Sequence, residues 1–200
     1  QTALTDISFE ILAGTTTALI GATGSGKSTL ARLLCALEVP DSGRIIVDGI
    51  PTDSKKNRRL LHGVIGYVMQ HPERQLFAQT VFEDVAFGPT NLKLSKEDIK
   101  GRVEETLELV GLSHKAQASP FELSGGQKRR VAIAGVLAMK PEYLILDEPS
   151  AGLDPKARDE ILGTIAGLKE KTGISIILVS HSMEDVAKYV DRLIVMNKSE

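Results

Sequence analysis

The sequence is poor in features that mark several classes of protein. It has no tryptophan and only 4% aromatic residues, which argues against a surface that stacks on nucleic-acid bases. Its single cysteine, Cys35, excludes an internal disulfide, and its place on the apolar side of a predicted helix indicates a core residue. The net charge of −2 gives no overall field that would attract nucleic acid or anionic lipid. We therefore expect no nucleic-acid partner.

Long hydrophobic runs are missing as well. The longest, residues 174–179, has the length of a strand, whereas a helix that crosses a bilayer needs about 20 apolar residues. We expect no signal peptide, and because the chain begins at Gln1 rather than Met, we expect both ends to be trimmed. Two hundred residues suffice for one domain with a substantial core, so we predict a single domain over residues 1–200.

The most informative stretch is a glycine-rich loop between a predicted strand and a predicted helix. The loop consists of Gly21, Ala22, Thr23, Gly24, Ser25, Gly26, Lys27, Ser28 and Thr29. This order fits the phosphate-binding loop G-x-x-x-x-G-K-S, in which backbone N–H groups surround anionic oxygens. Lys27 can reach the β- and γ-phosphates, and Ser28 can place its hydroxyl on Mg²⁺. The motif predicts a nucleoside triphosphate, although kinases, GTPases and motor ATPases all share it.

Strands and helices alternate around this loop. Strands are predicted at 16–20, 44–49, 64–69, 143–146, 174–179 and 193–196, and helices at 30–37, 80–87, 95–110, after 130, from 155 and at 183–189. This alternation indicates an α/β fold with a largely parallel sheet covered on both faces. Alternating apolar residues at 4–12 predict in addition an antiparallel β element at the N-terminus. Gly88 and Pro89 are predicted to stop the helix that Thr80 begins.

The stretch from residue 70 to about 122 is mostly helical, although the residues on either side alternate between strands and helices. We therefore predict a core of residues 1–69 and 123–200 with a helical insert at about 70–122.

Acidic and polar residues follow several predicted strands. Because ligands bind at the carboxyl ends of parallel strands, Asp147 and Glu148 are expected to face the phosphates. Asp147 is interpreted as the Mg²⁺ partner that holds the ion against Ser28, and Glu148 as the acceptor of a proton from the attacking water. His181 could hydrogen-bond a γ-phosphate oxygen and the water. Gln70 could join the Mg²⁺ shell and sense the γ-phosphate.

Other polar groups have plainer interpretations. His62, His71 and His114 lack metal-ligand spacing and are interpreted as surface or structural residues. The basic cluster at 55–59 is interpreted as a solvated loop, with contact to lipid head groups or a partner as the alternative.

A second loop followed by a helix offers another anion-binding terminus. Its residues are Ser124, Gly125, Gly126 and Gln127. The helical insert separates this loop from the phosphate-binding loop, so one domain is not expected to fold both onto one nucleotide. The pair of loops therefore suggests a dimer with nucleotide at its interface.

Taken in order, these motifs resemble those of ABC transporter ATPases, which share a P-loop NTPase core. The resemblance covers residues 21–28, 70, 123–127, 144–148, 150–154 and 181. It implies a head-to-tail dimer with two ATP molecules between the subunits, closed by ATP and reopened by hydrolysis. It also implies that Glu148 is the general base, that His181 is the γ-phosphate switch, and that Asp154 contacts the partner.

A narrower resemblance is to the ATPases of energy-coupling factor (ECF) transporters, which import vitamins, cobalt or nickel. It rests on residues 70–77, 80–89 and 127–135. It implies pairing with a second ATPase, docking through residues 70–89 onto a transmembrane coupling protein, a shared substrate-capture membrane protein, and a peripheral position on the cytoplasmic face of the membrane. The resemblance also implies an adenine-stacking aromatic upstream of Gln1 and a C-terminal extension, and we expect residues 1–200 to contain neither.

Three alternatives remain. The first is the ATPase of an ordinary ABC importer or exporter, against which residues 72–77 argue. The second is a soluble ABC-type clamp on DNA or ribosomes, which would carry long coiled coils or two tandem ATPase units. The third is a small-molecule kinase, which has no need for residues 123–127 and does not dimerise with ATP.

Overall fold

A five-stranded parallel sheet forms the centre of the computed structural model, which describes residues 3–197, without the side chains of residues 184 and 185. The strands are β1 (Thr16–Gly21), β2 (Ile46–Val47), β3 (Ile50–Pro51), β4 (Ile65–Val68), β5 (Tyr143–Asp147), β6 (Ser175–Ser180) and β7 (Arg192–Met196). The spatial order is β4-β5-β6-β1-β7, with every neighbouring pair parallel, while β2 and β3 form a separate antiparallel pair. The α/β fold with a mostly parallel sheet is confirmed.

Seven α-helices and three short 3₁₀ turns are found within residues 3–197. The helices are α1 (Lys27–Leu34), α2 (Lys55–Leu60), α3 (Val81–Asn91), α4 (Lys96–Leu109), α5 (Gly125–Leu137), α6 (Pro155–Thr172) and α7 (Met183–Val186), and the turns are Pro72–Gln75, Ser113–Lys115 and Pro120–Glu122. None of these helices has the length and apolarity needed to cross a bilayer.

Apolar residues along the central strands alternate between two hydrophobic clusters. In β5, Leu144 and Leu146 belong to the larger cluster and Ile145 to the smaller one. The larger cluster packs the sheet against α5 and α6, and the smaller packs the other face against α1. Because both faces are covered, the strands read as nearly continuous apolar runs.

The parallel arrangement brings the predicted functional residues to one edge of the sheet. The carboxyl ends of β1, β4, β5 and β6 lead into Gly21, Gln70, Glu148 and His181, respectively. β6 lies between β1 and β5, with Val179 opposite Asp147 and Ser180 opposite Ile20. The phosphate-binding loop and the acidic pair are thus separated by one strand.

The predicted N-terminal strand is wrong. Residues 4–12 form no strand, and the antiparallel pairing of the fold lies instead between β2 and β3. An antiparallel ladder needs a partner edge, and β2 and β3 are only two residues long and pair with each other. Leu4, Ile7 and Ile11 still pack against the smaller hydrophobic cluster, so their apolar alternation reflects burial without strand pairing.

The prediction that Gly88 and Pro89 stop a helix is also wrong, because α3 continues to Asn91. Pro89 removes one backbone donor, at a cost of about 3 kcal/mol in a helix interior. Burial of Val81 and Val85 in the larger cluster, and of Pro89 itself, offsets this cost. Tertiary packing therefore overrides a local stop signal.

Other elements differ from prediction mainly at their ends. The predicted strand at 44–49 is reduced to β2, and the predicted helix at 183–189 to α7. The helix after the phosphate-binding loop begins at Lys27, and α5 begins at Gly125, three and six residues earlier than the sequence pattern indicated. In both places the helix starts inside the glycine motif, so backbone N–H groups of its first turn lie at the candidate site.

Candidate active site at the carboxyl edge of the sheet

The phosphate-binding loop joins β1 to α1 and is closed by its own lysine. The Lys27 ammonium is almost fully buried and donates to the carbonyl oxygens of Gly21 (2.8 Å) and Ala22 (3.0 Å). Gly26 precedes α1 with φ 93°, and a Cβ there would lie 2.6 Å from the carbonyl oxygen of Ala3. Glycine is required at this position both for its backbone angle and for the close approach.

The remaining loop residues point toward solvent or line the turn. Ala22, Thr23 and Gly24 are exposed, so their backbone groups are accessible to a ligand. The Thr29 hydroxyl accepts from Arg32 at 3.4 Å. Ser25 is buried, and its Oγ has no hydrogen-bond partner among the described residues. A buried hydroxyl without a partner costs about 1–3 kcal/mol, so Ser25 fits a ligand with acceptor oxygens in this loop.

Ser28 of α1 and Asp147 of β5 are brought together, although β5 is not adjacent to β1, the strand that leads into α1. The Ser28 hydroxyl donates to Oδ1 of Asp147 at 3.3 Å, and the Tyr67 hydroxyl of β4 donates to Oδ2 at 3.2 Å. Burial, followed by the charge of Asp147, raises the pKa of the Tyr67 phenol, which therefore stays protonated as a donor. The same two causes raise the pKa of the Cys35 thiol to about 12, which indicates an unreactive residue. The oxygen donors of Ser28 and Asp147 are the type that Mg²⁺ prefers.

Glu148 and His181 form the second contact at this edge. Nδ1 of His181 lies 2.8 Å from Oε2 of Glu148. The Glu148 carboxylate is largely buried, whereas the His181 ring is more than half exposed. Glu148 has a left-handed backbone with φ 52°, which is uncommon for a residue other than glycine, and its N–H donates to the carbonyl of Val179. The backbone thus turns sharply between β5 and the carboxylate.

Three predicted site features lie outside the two contacts formed by Ser28 with Asp147 and by Glu148 with His181. Gln70 is exposed two residues beyond β4. Ser124 caps α5 through a reciprocal pair of hydrogen bonds, in which its Oγ accepts from the Gln127 N–H and its N–H donates to Oε1 of Gln127. Asp154 caps α6 by accepting from the Ala157 N–H at 3.0 Å. The structure therefore brings Lys27, Ser28, Asp147, Glu148 and His181 to one edge of the sheet. Among residues 3–197, no hydrogen bond or ion pair joins this group to Gln70, Asp154 or residues 124–127.

An aromatic pair is exposed on the segment between β4 and the end of α3. The rings of Phe77 and Phe87 meet edge to face with centroids 5.0 Å apart, and both are more than half exposed. Asp84 shapes this loop by accepting from the N–H groups of Phe77 and Ala78. Leu76, the neighbour of Phe77, is partly buried and packs against the larger cluster.

Residues 4–151 match the ABC transporter family. The chain belongs to this family. Among curated ABC proteins, it is 55% identical to the energy-coupling factor transporter ATP-binding protein EcfA2 of Clostridium tetani, over 99% of this chain and 70% of that protein. It is 52% identical to EcfA2 of Bacillus subtilis, over 98% of this chain and 72% of that protein. Recognition as an ECF-type ABC ATPase is thereby confirmed, and with it ATP as the nucleotide.

Solved ABC structures agree with this assignment. Clostridium perfringens cbiO1, described as part of the ABC transporter complex cbiONQ, superposes with a TM-score of 0.93 at 43% identity, over 98% of this chain and 79% of that one. The ATP-binding cassette MJ0796, solved as a dimer in a post-hydrolysis state with ADP and Pi, superposes with a TM-score of 0.84 at 30% identity, over 99% of this chain and 88% of that one.

Two residues of this ABC site escape sequence reasoning. Tyr67 gives no local signal, because only the pairing of β4 with β5 brings its hydroxyl to Asp147. Arg129 lies between two basic residues and reads as a solvated charge, yet it is buried. Its position four residues before Ile133 and eight before Leu137 continues the buried stripe of α5, and that spacing is the signal that could have revealed it.

Proposed function

We propose that this chain is the ATP-hydrolysing subunit that powers ECF-type import of a vitamin or transition metal ion, bound peripherally at the cytoplasmic face of the membrane. The observation that carries the hydrolytic part is the 2.8 Å contact of Glu148 with His181, beside the pair of Ser28 and Asp147. The high identity to ECF ATP-binding proteins supports the transport part.

The phosphate-binding loop would hold the triphosphate of ATP. Backbone N–H groups at the start of α1 and the Ser25 hydroxyl supply donors, and Lys27 exchanges the carbonyls of Gly21 and Ala22 for phosphate oxygens. Ser28 and Asp147 would hold Mg²⁺, with Gln70 completing its shell when that exposed residue moves inward. Bound there, Mg²⁺ would neutralise charge on the phosphate oxygens.

Glu148 would accept the proton of the attacking water. Its backbone turn directs the carboxylate away from β5, and His181 orients that carboxylate through Nδ1. As a partly exposed ring, His181 also remains free to meet the γ-phosphate. A positioned general base contributes about 10²–10⁴-fold in rate.

A second ATPase subunit would complete each site. Ser124 to Gln127 begin a helix on one sheet face, and the phosphate-binding loop leads to α1 on the opposite face. The N-terminus of α5 would therefore meet the ATP of a partner, and Asp154 would contact that partner. We retain the division into a core of residues 1–69 and 123–200 and a helical insert of about 70–122.

Residues 70–89, called here the docking segment, would bind the transmembrane coupling protein, and a substrate-capture membrane protein would complete the transporter. Exposed aromatic rings side by side are typical of a surface that is covered in an assembly. Phe77 and Phe87 provide such a surface, held in shape by Asp84.

The test uses the tagged full-length protein, purified from its own cells in mild detergent. The parent protein is expected to bring a second ATPase and membrane partners. Phe77→Asp should lose the membrane partners and keep ATP hydrolysis, because a charge in an apolar interface is costly to desolvate. Glu148→Gln should keep the partners and lose about 100-fold or more in kcat.

Leu37→Asp is the matched control, because Leu37 is as exposed as Phe77 (61% each) but lies outside the docking segment. Retention of membrane partners by Phe77→Asp would overturn the docking assignment, and full activity of Glu148→Gln would overturn the catalytic one. Recovery of two matched permease subunits would favour an ordinary ABC transporter.

A further inference from the structure

Arg129 is a buried charge on α5, only 3% exposed. A buried guanidinium is costly unless its donors are paired. Nη1 donates to the carbonyl oxygens of Pro149 (2.6 Å) and Ala151 (3.0 Å). Nε and Nη2 donate to Oε2 of Glu73 at 3.3 and 3.2 Å. The side chain therefore makes contacts in two directions.

These contacts join three parts of the candidate machinery. Glu73 lies in the 3₁₀ turn of the docking segment, between Gln70 and Phe77. Arg129 lies one turn into the helix that Ser124 begins. Residues 148–151, called here the base loop, start with Glu148 and contain both accepting carbonyls. A single side chain thus bridges the docking segment and the base loop.

The Glu73 end of the bridge is held from both sides. Oε1 of Glu73 lies 3.2 Å from Nδ1 of His71, while Oε2 accepts from Arg129. Burial alone would raise the pKa of Glu73, but a hydrogen bond to its own backbone N–H and the charge and hydrogen bonds of Arg129 lower it on balance. The carboxylate therefore remains charged and paired near neutral pH.

We propose that Arg129 is a positioning residue that transmits movement of the docking segment to the base loop, and so sets the placement of the Glu148 carboxylate. This inference rests on the proposed function, because docking through residues 70–89 is part of it. An apolar side chain would fill the same space at less desolvation cost, so the directional contacts of the guanidinium explain its presence here. Displacement of a catalytic group by about 1 Å is enough to lower a rate strongly.

The experiment measures kcat and KM for ATP with the full-length protein, both in its purified membrane complex and alone. The variants are Glu73→Gln, Arg129→Gln, the double variant and Arg129→Lys. Arg130→Gln is the matched control, because Arg130 is the next residue of α5 but contacts the Val110 carbonyl and Glu160 instead. Thermal unfolding of each variant reports on folding.

In the complex, Arg129→Gln should lower kcat by about tenfold and Glu73→Gln by several-fold, with KM changed by less than about twofold. The double variant should match Arg129→Gln, because the bridge to Glu73 is already missing. Arg129→Lys should recover part of the loss, since it restores the charge without the two-way fork. Arg130→Gln should behave like the parent.

Unchanged kcat in Arg129→Gln, or multiplicative losses in the double variant, would overturn the proposal. If Arg129→Gln fails to fold, the test rests on Glu73→Gln. A kcat of Glu73→Gln equal to that of the parent in the complex would overturn the proposal. If the parent brings no membrane partner, the proposed transport function fails. The isolated chain then tests whether Arg129 positions Glu148. A loss of kcat in Arg129→Gln but not in Arg130→Gln supports this role, and an unchanged kcat in Arg129→Gln overturns it.

Discussion

At the scale of single residues, Tyr67 determines how Asp147 is presented. Its hydroxyl donates to one carboxylate oxygen while Ser28 donates to the other, so both oxygens are directed in a buried setting. Tyr67→Phe removes one of these donors, so Oδ2 of Asp147 loses its hydrogen bond from Tyr67. This loss should lower the free energy of unfolding by about 1–3 kcal/mol. We expect the Mg²⁺ concentration for half-maximal ATP hydrolysis to rise about three- to tenfold, because a freer Asp147 holds the ion less well.

Tyr143→Phe is the matched control for this titration. Tyr143 lies in β5 and loses an equivalent hydrogen bond, to Asp48 at 2.6 Å, at the opposite end of the strand from Asp147. It should leave the Mg²⁺ dependence unchanged. An equal shift in both variants, or none in Tyr67→Phe, would show that the Tyr67 hydroxyl does not direct Asp147.

The sequence identifies those site residues whose arrangement in space follows from the motif and from the order of the strands. The meeting of Ser28 with Asp147 follows from a phosphate-binding loop and an acidic residue at the same edge of a parallel sheet, so spacing along the chain suffices. Tyr67 and Arg129 act through contacts with residues 80 and 20 or more positions away. Such contacts depend on strand register and helix rotation, which one sequence does not specify.

At the scale of elements, β4 and α5 approach each other closely at Gly66. A Cβ at this position would lie 2.5 Å from Cγ1 of Val136 and 3.1 Å from Cγ of Pro141. Neither branched Val136 nor the proline ring can move away easily. Gly66→Ala should therefore lower the free energy of unfolding by about 1–3 kcal/mol, measured by urea denaturation with the slope unchanged.

Gly163 provides the opposite case. It lies inside α6, and a Cβ there meets nothing within 4 Å. Gly163→Ala should raise the free energy of unfolding by about 0.5–1 kcal/mol, because alanine favours the helix. Loss of stability in Gly163→Ala, or none in Gly66→Ala, would contradict the packing described for these two helices and strand.

Element types were predictable where burial and local signals agree. The central strands are mostly apolar, because both sheet faces are covered, and their predicted bounds agree with the structure within one or two residues. Residues 4–12 and the end of α3 were misjudged, because the outcome there depends on a partner strand and on packing of Pro89. The local sequence pattern limits the secondary structures that a segment can form, and the packing of neighbouring elements determines which of them it adopts.

At the scale of the whole molecule, the two helices proposed to bind phosphate at their N-termini pack on opposite sheet faces. α1 begins at the phosphate-binding loop, and α5 begins at Gly125 after its cap Ser124, whose own hydrogen bonds are local. Under the proposed function, a monomer would therefore carry two incomplete halves of a nucleotide site. A head-to-tail dimer would pair each half with the other half of its partner, as the self-complementary contacts of a two-fold interface do.

Ser124→Asp tests this arrangement without harming the helix. Aspartate caps a helix as well as serine does, so α5 should form normally, but its charge would face the γ-phosphate of a partner's ATP. With Glu148→Gln as background to prevent turnover, ATP with Mg²⁺ should produce a dimer, with a second copy or with a related ATPase. Sedimentation should show this association weakened at least about tenfold by Ser124→Asp, because like charges repel strongly in a site that excludes water.

Ser54→Asp is the control, because the Ser54 hydroxyl caps α2 by accepting from the Asn57 N–H, as Ser124 caps α5, but Ser54 belongs to neither half-site. It should dimerise like its parent, since its added charge lies at the N-terminus of α2 and outside both half-sites. Undiminished dimerisation of Ser124→Asp would place α5 outside the nucleotide interface. Both half-sites would then have to bind one nucleotide within a single chain. The sheet, which separates α1 from α5, argues against this.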